Sequence, residues 1–130
     1  MEINIGHESP LKLKRLLISE CNFKRSEDTL KNLILDVNIS RNIEVFEADT
    51  YKITLDFFMS DDKRKIEVSI KCIAYFETQE ENIQLIEKNT IAIMFPYVRS
   101  YVSIITTQPG MSPIVLPPIN VAAMFQEQNS

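Results

Sequence analysis

Few side chains in this sequence could serve as a catalytic acid, base or nucleophile. His7 is the single histidine, and no serine or cysteine motif accompanies it, so general-base and nucleophilic catalysis lack partners. Cys21 and Cys72 form no CxxC pair, and both fall at inward positions of predicted strands, where cysteine acts as a small hydrophobic residue. We therefore expect neither a zinc site nor a disulfide, and we expect that the protein is not an enzyme.

The sequence also lacks the glycine-rich motifs that bind phosphates and cofactors. Glycine occurs only at Gly6 and Gly110, which removes the glycine-rich turns that cradle phosphates. The adjacent carboxylates Asp61 and Asp62 fit a solvated turn. No cofactor and no metal are therefore predicted.

Length and charge narrow the class of protein. The chain has 130 residues, with 14 Lys and Arg against 18 Asp and Glu and a net charge of −4. This suits one domain over residues 1–130 and disfavours a nucleic-acid partner. No run of about 18 apolar residues suggests membrane insertion, and Met1–Pro10 lacks the apolar centre of a secretory signal. With no disulfide expected, we predict a cytoplasmic protein.

Four segments alternate apolar and polar side chains with the period of a β-strand. They are residues 11–23, 32–40, 51–60 and 65–77. This period predicts a sheet with one buried and one solvated face, and the short polar connection 60–63 predicts an antiparallel hairpin. In the first strand the pattern places Leu17 and Cys21 inward, although Leu16 and Ile18 blur the alternation.

Helical spacing begins only after the strands. Apolar residues three and four apart run from about Glu80, and Pro96 predicts a kink or a restart of the helix there. Pro109-Gly110 should end this helix.

The segment after the long helix is rich in proline. Met111–Pro118 should be an extended loop, and Asn120 is a candidate N-cap for a short helix over 121–128. The predicted fold class is therefore α+β, with a four-stranded antiparallel sheet followed by a long, kinked helix and a short C-terminal helix.

The C-terminal third of the chain is nearly free of charge. Between Asn89 and Gln126 the single charged side chain is Arg99. Such a segment must be covered by its own domain, by sister subunits or by an apolar ligand. Because a helix that is apolar on most sides needs partners on most sides, we expect oligomerisation.

Two peptide motifs lie in this neutral segment. The first is Phe95-Pro96-Tyr97-Val98-Arg99, and the second is Leu-Pro-Pro-Ile-Asn-Val-Ala-Ala-Met-Phe over 116–125. With these motifs the chain resembles the SecB family of export chaperones, whose members carry a Phe-Pro-Tyr-Ala-Arg-like helix segment and a later (Leu/Ala)-Pro-(Val/Ile)-Asn-Phe-xx-Leu-Phe-like segment at matching spacing. A weaker likeness runs through the strands, so the resemblance covers nearly the whole chain.

The resemblance implies a fold, an assembly and a function. The fold is a SecB-like subunit with a four-stranded antiparallel sheet, and the assembly is a homotetramer, a dimer of dimers, with the long helix sandwiched between sheets. The function is that of an ATP-independent holdase, which binds unfolded polypeptides such as preproteins in apolar grooves and delivers them to the SecA translocase motor. A holdase needs accessible apolar surface and no catalytic residue.

The apolar residues fall into two predicted sites. The client groove should combine the second strand, the Pro-rich loop and the last helix, with core packing as the competing interpretation of each residue. The predicted groove residues are Leu35, Val37, Ile39, Met111, Ile114, Leu116, Met124 and Phe125. The predicted oligomer interface is the helix stripe of Ile91, Phe95, Val98, Tyr101, Val102 and Ile105.

Docking to the export motor depends, in the family, on acidic residues of the exposed sheet face. Glu20 matches one such position, but Lys24 stands where another carboxylate is expected, and no acidic tail follows Phe125. The alternatives are an antitoxin-specific chaperone of a toxin–antitoxin system and a non-chaperone interaction subunit on the same scaffold. A third is an enzyme or small-ligand protein with a pocket under the Pro-rich loop.

Overall fold

The computed structural model describes residues 10–120 and residue 123. Within these residues it contains four strands and one helix. They are β1 (Lys12–Arg25), β2 (Asp36–Glu47), β3 (Thr50–Ser60), β4 (Ile66–Glu77) and α1 (Ile83–Ile105). Neighbouring strands are antiparallel in the order β1-β4-β3-β2, so β1 and β2 are the edges. The predicted α+β arrangement of a four-stranded sheet followed by a long helix is confirmed.

The two central strands follow the period of two without interruption. Every second residue of β4 from Ile66 to Phe76 is buried, and β3 buries Ile53, Leu55, Phe57 and Met59. The predicted hairpin joins these strands. Its turn is held by the Asp61 carboxylate, which accepts backbone N–H bonds from Ile66 at 2.9 Å and Lys63 at 3.3 Å.

Strand β1 departs from simple alternation because it contains two irregularities. Its register with β4 shifts between Leu13 and Arg15 and again between Ile18 and Glu20. Each extra residue turns the side chains that follow it toward the other face of the sheet.

The first shift in β1 corrects the predicted facing of Leu17, and the second returns Cys21 to the core face opposite Ile70. Leu16 and Ile18 pack on the core, whereas Leu17 lies opposite Ile73 on the outer face. Cys72 is buried as predicted, but Cys21 is exposed because it lies on an edge strand, so it does not act as a core residue.

Strand β2 begins later and ends later than its sequence pattern predicts. Asn32 has a left-handed backbone (φ 54°), which interrupts the extended chain before the strand begins at Asp36. The strand then continues to a tight turn at Ala48 and Asp49, where Asp49 is also left-handed (φ 61°).

Helix α1 begins after Asn82, whose side-chain oxygen accepts the Leu85 N–H at 3.2 Å and thereby caps the helix. The helix runs unbroken through Pro96, so the predicted restart is absent. It ends at Ile105, before Pro109-Gly110, with Thr106 as the C-cap, whose hydroxyl donates to the Val102 carbonyl at 2.7 Å. No helix in the described part of the chain is long and apolar enough to span a bilayer.

The predicted C-terminal helix over 121–128 lies outside the described residues except for Ala123. The backbone N–H of Ala123 donates to the side-chain oxygen of Asn120 at 3.0 Å.

Candidate functional site

An open groove of about 380 Å³ lies where the connector between β1 and β2 faces the Pro-rich segment after α1. We call these walls the connector (residues 26–35) and the Pro-rich segment (residues 109–120). The groove is lined by Leu30, Leu33, Leu35, Ile66, Gly110, Met111, Ser112 and Ile114. Because this lining carries no titratable side chain, the groove can accept apolar groups but supplies no acid or base.

Arg25, the last residue of β1, links the two walls of the groove. Its Nη2 donates to the Asp28 carbonyl at 2.6 Å and its Nε to the Ser26 carbonyl at 2.8 Å, which shapes the connector. Its Nη1 donates to the Gly110 carbonyl at 3.4 Å on the opposite wall. The Ser26 N–H donates to the Lys65 carbonyl at 2.8 Å, which ties the connector to the sheet.

The Pro-rich segment is held to the C-terminus of α1 through Ile114. The Ile114 N–H donates to the Thr106 hydroxyl at 2.9 Å, and the Ser103 hydroxyl donates to the Ile114 carbonyl at 2.9 Å. Gly110 begins the segment with a left-handed backbone (φ 84°) that a side chain would strain. Both walls are therefore fixed by side-chain bonds to regular elements.

The edge strand β2 runs on from the connector wall. Among the described residues no strand pairs with the outer side of β2, which is an edge of the sheet. Arg41, on the face that packs toward α1, pairs with Glu87 of the helix, and these side chains are 10% and 16% exposed. This nearly buried ion pair ties the edge strand to α1 beyond the groove.

The structure brings together three of the predicted groove residues, Leu35, Met111 and Ile114. Val37 and Ile39 lie on the core face of β2, and Leu116 is buried at 8% exposure, so these three residues do not line the groove. Leu116 is part of the hydrophobic core, which was the alternative to a groove position in the sequence analysis. Met124 and Phe125 lie outside the described residues.

The predicted oligomer interface lies instead in the core of the chain itself. Four of its residues are 0–4% exposed, because this face of α1 packs on the sheet; they are Ile91, Phe95, Val98 and Val102. In this chain these side chains leave almost no surface for a second subunit, and their role in an interface stays a prediction. Tyr101 and Ile105 are partly buried against the same core. The exposed apolar residues of α1 are Ile83, Leu85, Tyr97 and Ile104, and of these Tyr97 and Ile104, seven residues apart, share one face of the helix.

The predicted docking residue Glu20 lies on the outer face of the sheet and is exposed. Its Oε2 is 4.0 Å from Nζ of Lys71, and Lys24 lies opposite Glu67 in the β1–β4 register. Opposite charges therefore alternate on this part of the face.

Five lining residues were not predicted as part of the site: Ile66, Gly110, Ser112, Leu30 and Leu33. The two leucines lie in the connector. Their signal is a cluster of leucines with Leu35 in a short segment that the period-two pattern treats as part of a strand. The contact of Arg25 with Gly110 joins residues 85 positions apart, and no local pattern reveals such a pairing.

Comparison with known proteins decides the family. The model for preprotein translocase subunit SecB matches residues 21–130. The chain belongs to the SecB family. This confirms the resemblance carried by the two C-terminal motifs.

Individual relatives agree with the family assignment. This SecB-family chain is 33% identical over 127 residues to an uncharacterized protein of Methanocaldococcus jannaschii, with 88% of this chain and 82% of that protein covered. A SecB-like chaperone of Mycobacterium tuberculosis, solved in complex with a ChAD peptide from the HigA1 antitoxin, aligns with a TM-score of 0.69. It is 13% identical, and 85% of this chain and 88% of that chain are covered, so it shows the likeness of the fold.

Proposed function

We propose that this SecB-family chain is an ATP-independent holdase that binds apolar segments of non-native polypeptides. The observation that carries the proposal is the groove between the connector and the Pro-rich segment, which is open, apolar and free of titratable side chains. A binding role of this kind requires no catalytic residue and no cofactor. The site of action that we propose is the cytoplasm.

The client binds as an extended segment. Its backbone pairs with β2, which is an edge strand of the described sheet, and its apolar side chains enter the groove next to Leu35 and Ile114. Met111 contributes an unbranched, polarizable side chain that adapts to clients of different shape. Affinity then depends on the apolar pattern of the client and only weakly on its sequence.

Assembly would strengthen binding, because several grooves can hold one long client at a high effective concentration. We propose a homotetramer, with subunit contacts on the exposed apolar residues of α1 rather than on its buried stripe. Ile104 and Tyr97 are the largest exposed apolar side chains of that face.

The test uses a chemically unfolded client that aggregates on dilution, without nucleotide. Met111→Asp places a charge in the groove and should weaken client binding by about tenfold, because the buried charge is costly. Val45→Asp is the matched control, since Val45 is an exposed apolar residue at the far end of β2. The wild-type chain and Val45→Asp should suppress light scattering at near-stoichiometric ratio, whereas Met111→Asp should not.

Equal suppression by Met111→Asp and Val45→Asp would contradict the proposed groove. Failure of the wild-type chain to suppress aggregation would contradict the holdase itself. Circular dichroism and thermal unfolding of both variants separate a lost site from a lost fold.

Two classes of client are distinguished by partner experiments. A role in export requires binding to the SecA motor, for which Glu20 is the candidate contact. A dedicated antitoxin is the second candidate, because the solved M. tuberculosis chaperone of this fold holds an antitoxin peptide. Co-purification of one stable client would favour the dedicated role, and loss of motor binding in Glu20→Lys would favour export.

A further inference from the structure

The methionines of this chain differ in their access to solvent. Of the five in the sequence, Met59, Met94 and Met111 lie among the described residues. Met59 is 1% exposed and Met94 is 0% exposed, because both belong to the hydrophobic core. Met111 is only partly buried, and it lines the groove between the connector and the Pro-rich segment. In the described part of the chain, Met111 is therefore the one thioether that small molecules in solution can reach.

The backbone around Met111 is fixed, whereas the space beside it is open. The Met111 N–H donates to the Gln108 carbonyl at 3.2 Å, and the Gly110 carbonyl accepts a bond from Arg25 Nη1 at 3.4 Å. Among the described residues, no atom beyond the two chain neighbours lies within 4 Å of the position that a Cβ on Gly110 would take. Met111 is thus held at a constant place in the wall and stays open to a small reagent.

The groove supplies almost no hydrogen-bond donors to a polar group at this position. Beside Met111 the described lining has one polar side chain, the Ser112 hydroxyl, and the others are Leu30, Leu33, Leu35, Ile66 and Ile114. The Arg25 guanidinium already donates to three backbone carbonyls. A polar group in place of the thioether is solvated while the groove is open. It loses this water when an apolar client binds, and burial of a polar group without a partner is unfavourable.

We propose that Met111 is a reversible oxidation site that controls the affinity of the groove for its client. The oxidant is a peroxide. One oxygen atom of hydrogen peroxide bonds to the thioether sulfur through a sulfur lone pair, the O–O bond breaks, and the second oxygen takes up the proton and leaves as water. The sulfur loses two electrons and the peroxide gains them. The product is a sulfoxide, a polar group in a wall that otherwise offers apolar side chains.

The sulfoxide should weaken client binding about tenfold, because its dipole is buried without a partner once the client has expelled water. A methionine sulfoxide reductase reverses the change: two thiols become a disulfide, and the oxygen leaves as water. Met111 then again offers the unbranched, polarizable side chain that adapts to different clients. This inference rests on the proposed holdase function, because it concerns the regulation of the same groove.

Cys21 is the other accessible sulfur among the described residues, because Cys72 is buried. Partial desolvation raises the pKa of the Cys21 thiol, so little of the reactive thiolate is present at neutral pH. Cys21 does not line the groove. The variant Cys21→Ser therefore removes the competing sulfur without touching the binding surface.

The test treats the folded chain with hydrogen peroxide, removes the excess with catalase, and then measures client binding by fluorescence anisotropy. The probe is a short fluorescein-labelled peptide with leucine at every second position, which contains no sulfur. Its Kd should rise about tenfold after oxidation of the wild-type chain and of Cys21→Ser. In Met111→Leu the Kd after treatment should equal the Kd before treatment, whatever the starting value. Reductases specific for the two sulfoxide epimers should restore the original Kd of the wild-type chain.

Peptide mass spectrometry provides a second measurement. It should find one added oxygen at Met111 and none at Met59 or Met94 while the chain is folded. A saturating amount of the unlabelled peptide should slow the oxidation of Met111, because an occupied groove excludes the peroxide. The circular dichroism spectrum should be the same before and after oxidation.

The inference is overturned if Met111 stays reduced in the folded chain, if the oxidised chain binds the probe as before, or if Met111→Leu loses affinity as the wild-type chain does. Loss of the native circular dichroism spectrum on oxidation would also overturn it, because the fold rather than the groove would then be affected. If the untreated wild-type chain binds no probe, the holdase function fails and this inference fails with it. If untreated binding is normal and oxidation leaves the Kd unchanged, only this inference fails.

Discussion

The hydroxyl group of Thr106 is predicted to control the position of the Pro-rich wall of the groove. Thr106 is fully buried, and its single hydroxyl donates to the Val102 carbonyl at 2.7 Å and accepts the Ile114 N–H at 2.9 Å. Thr106→Val keeps the shape of the side chain and removes both bonds. The Pro-rich segment should then separate locally from α1.

The loss of stability expected for Thr106→Val follows from the two hydrogen bonds that it removes. A net hydrogen bond contributes about 1 kcal/mol, and a buried group left without a partner costs about 1–3 kcal/mol. The Val102 carbonyl keeps its bond from the Thr106 backbone N–H at 3.1 Å, and Ile114 is only partly buried, so water can replace part of the loss. We expect Thr106→Val to lower the free energy of unfolding by about 1–2 kcal/mol. The corresponding fall in Tm is about 3–8 °C.

Hydrogen exchange at the Ile114 amide measures the local part of the effect. Its protection should fall about tenfold or more in Thr106→Val, while amides of β3 and β4 change only with global stability. Thr107→Val is the matched control, because the exposed Thr107 hydroxyl bonds only the Ser103 carbonyl at 2.7 Å. Client binding should weaken in Thr106→Val and stay the same in Thr107→Val.

Unchanged exchange at Ile114 together with unchanged client binding would refute this reasoning. It would mean that prolines and side-chain packing, rather than the threonine hydroxyl, hold the segment in place. An equal loss in both valine variants would point to the helix end and not to the groove wall.

Three further predictions concern single groups. Arg41→Met leaves Glu87 charged and nearly buried, so urea unfolding should show a free energy of unfolding lower by about 3 kcal/mol. The double variant Arg41→Met/Glu87→Met should restore most of this loss, because no charge is then left without its partner. A double variant no more stable than Arg41→Met would contradict this prediction. Burial alone would raise the pKa of Asp61, but its bonds from backbone N–H groups outweigh this and lower the pKa. The ionised carboxylate of Asp61 therefore stabilises the fold fully above the unfolded pKa of 3.8, and this stabilisation is lost as the pH falls through the lower folded pKa. Unfolding curves measured over a series of pH values should show that the stability difference between wild type and Asp61→Asn shrinks at acid pH. Burial raises the pKa of Cys72 to about 11, so iodoacetamide at neutral pH should label the exposed Cys21 and reach Cys72 only after unfolding, as read by mass spectrometry.

The candidate site was only partly predictable from the sequence. Met111 and Ile114 were recognisable because a neutral, proline-rich segment that cannot be regular structure must still place its apolar side chains somewhere. Leu30 was missed because it precedes the predicted strand, and Leu33 because the period-two pattern includes it in a strand that begins only at Asp36. The left-handed backbone of Asn32 leaves no periodic signal in the sequence. The link from Arg25 to Gly110 depends on two segments that meet only after the sheet and α1 are packed.

Strand β1 shows the same limit of prediction from sequence. Period-two alternation places Leu17 on the core face, yet one extra residue in β1 moves it to the outer face and brings Arg15 beside Tyr75. A bulge reverses the facing of the side chains after it, and the second bulge of β1 reverses it back from Glu20 onward, yet neither alters the composition of the sequence.

The sequence by itself determined the four alternating strands, the long helix, the hairpin at Asp61 and the motifs of the SecB family, because each depends on local spacing or on a short run of residues. The tertiary structure alone decided what covers each apolar face. Periodicity shows that Ile91 and Val98 share a helix face, but not whether that face meets the chain's own sheet or another subunit. Packing on β3 and β4 assigned it to the core, and the connector and the Pro-rich segment then met beside the free edge of β2 to form the groove.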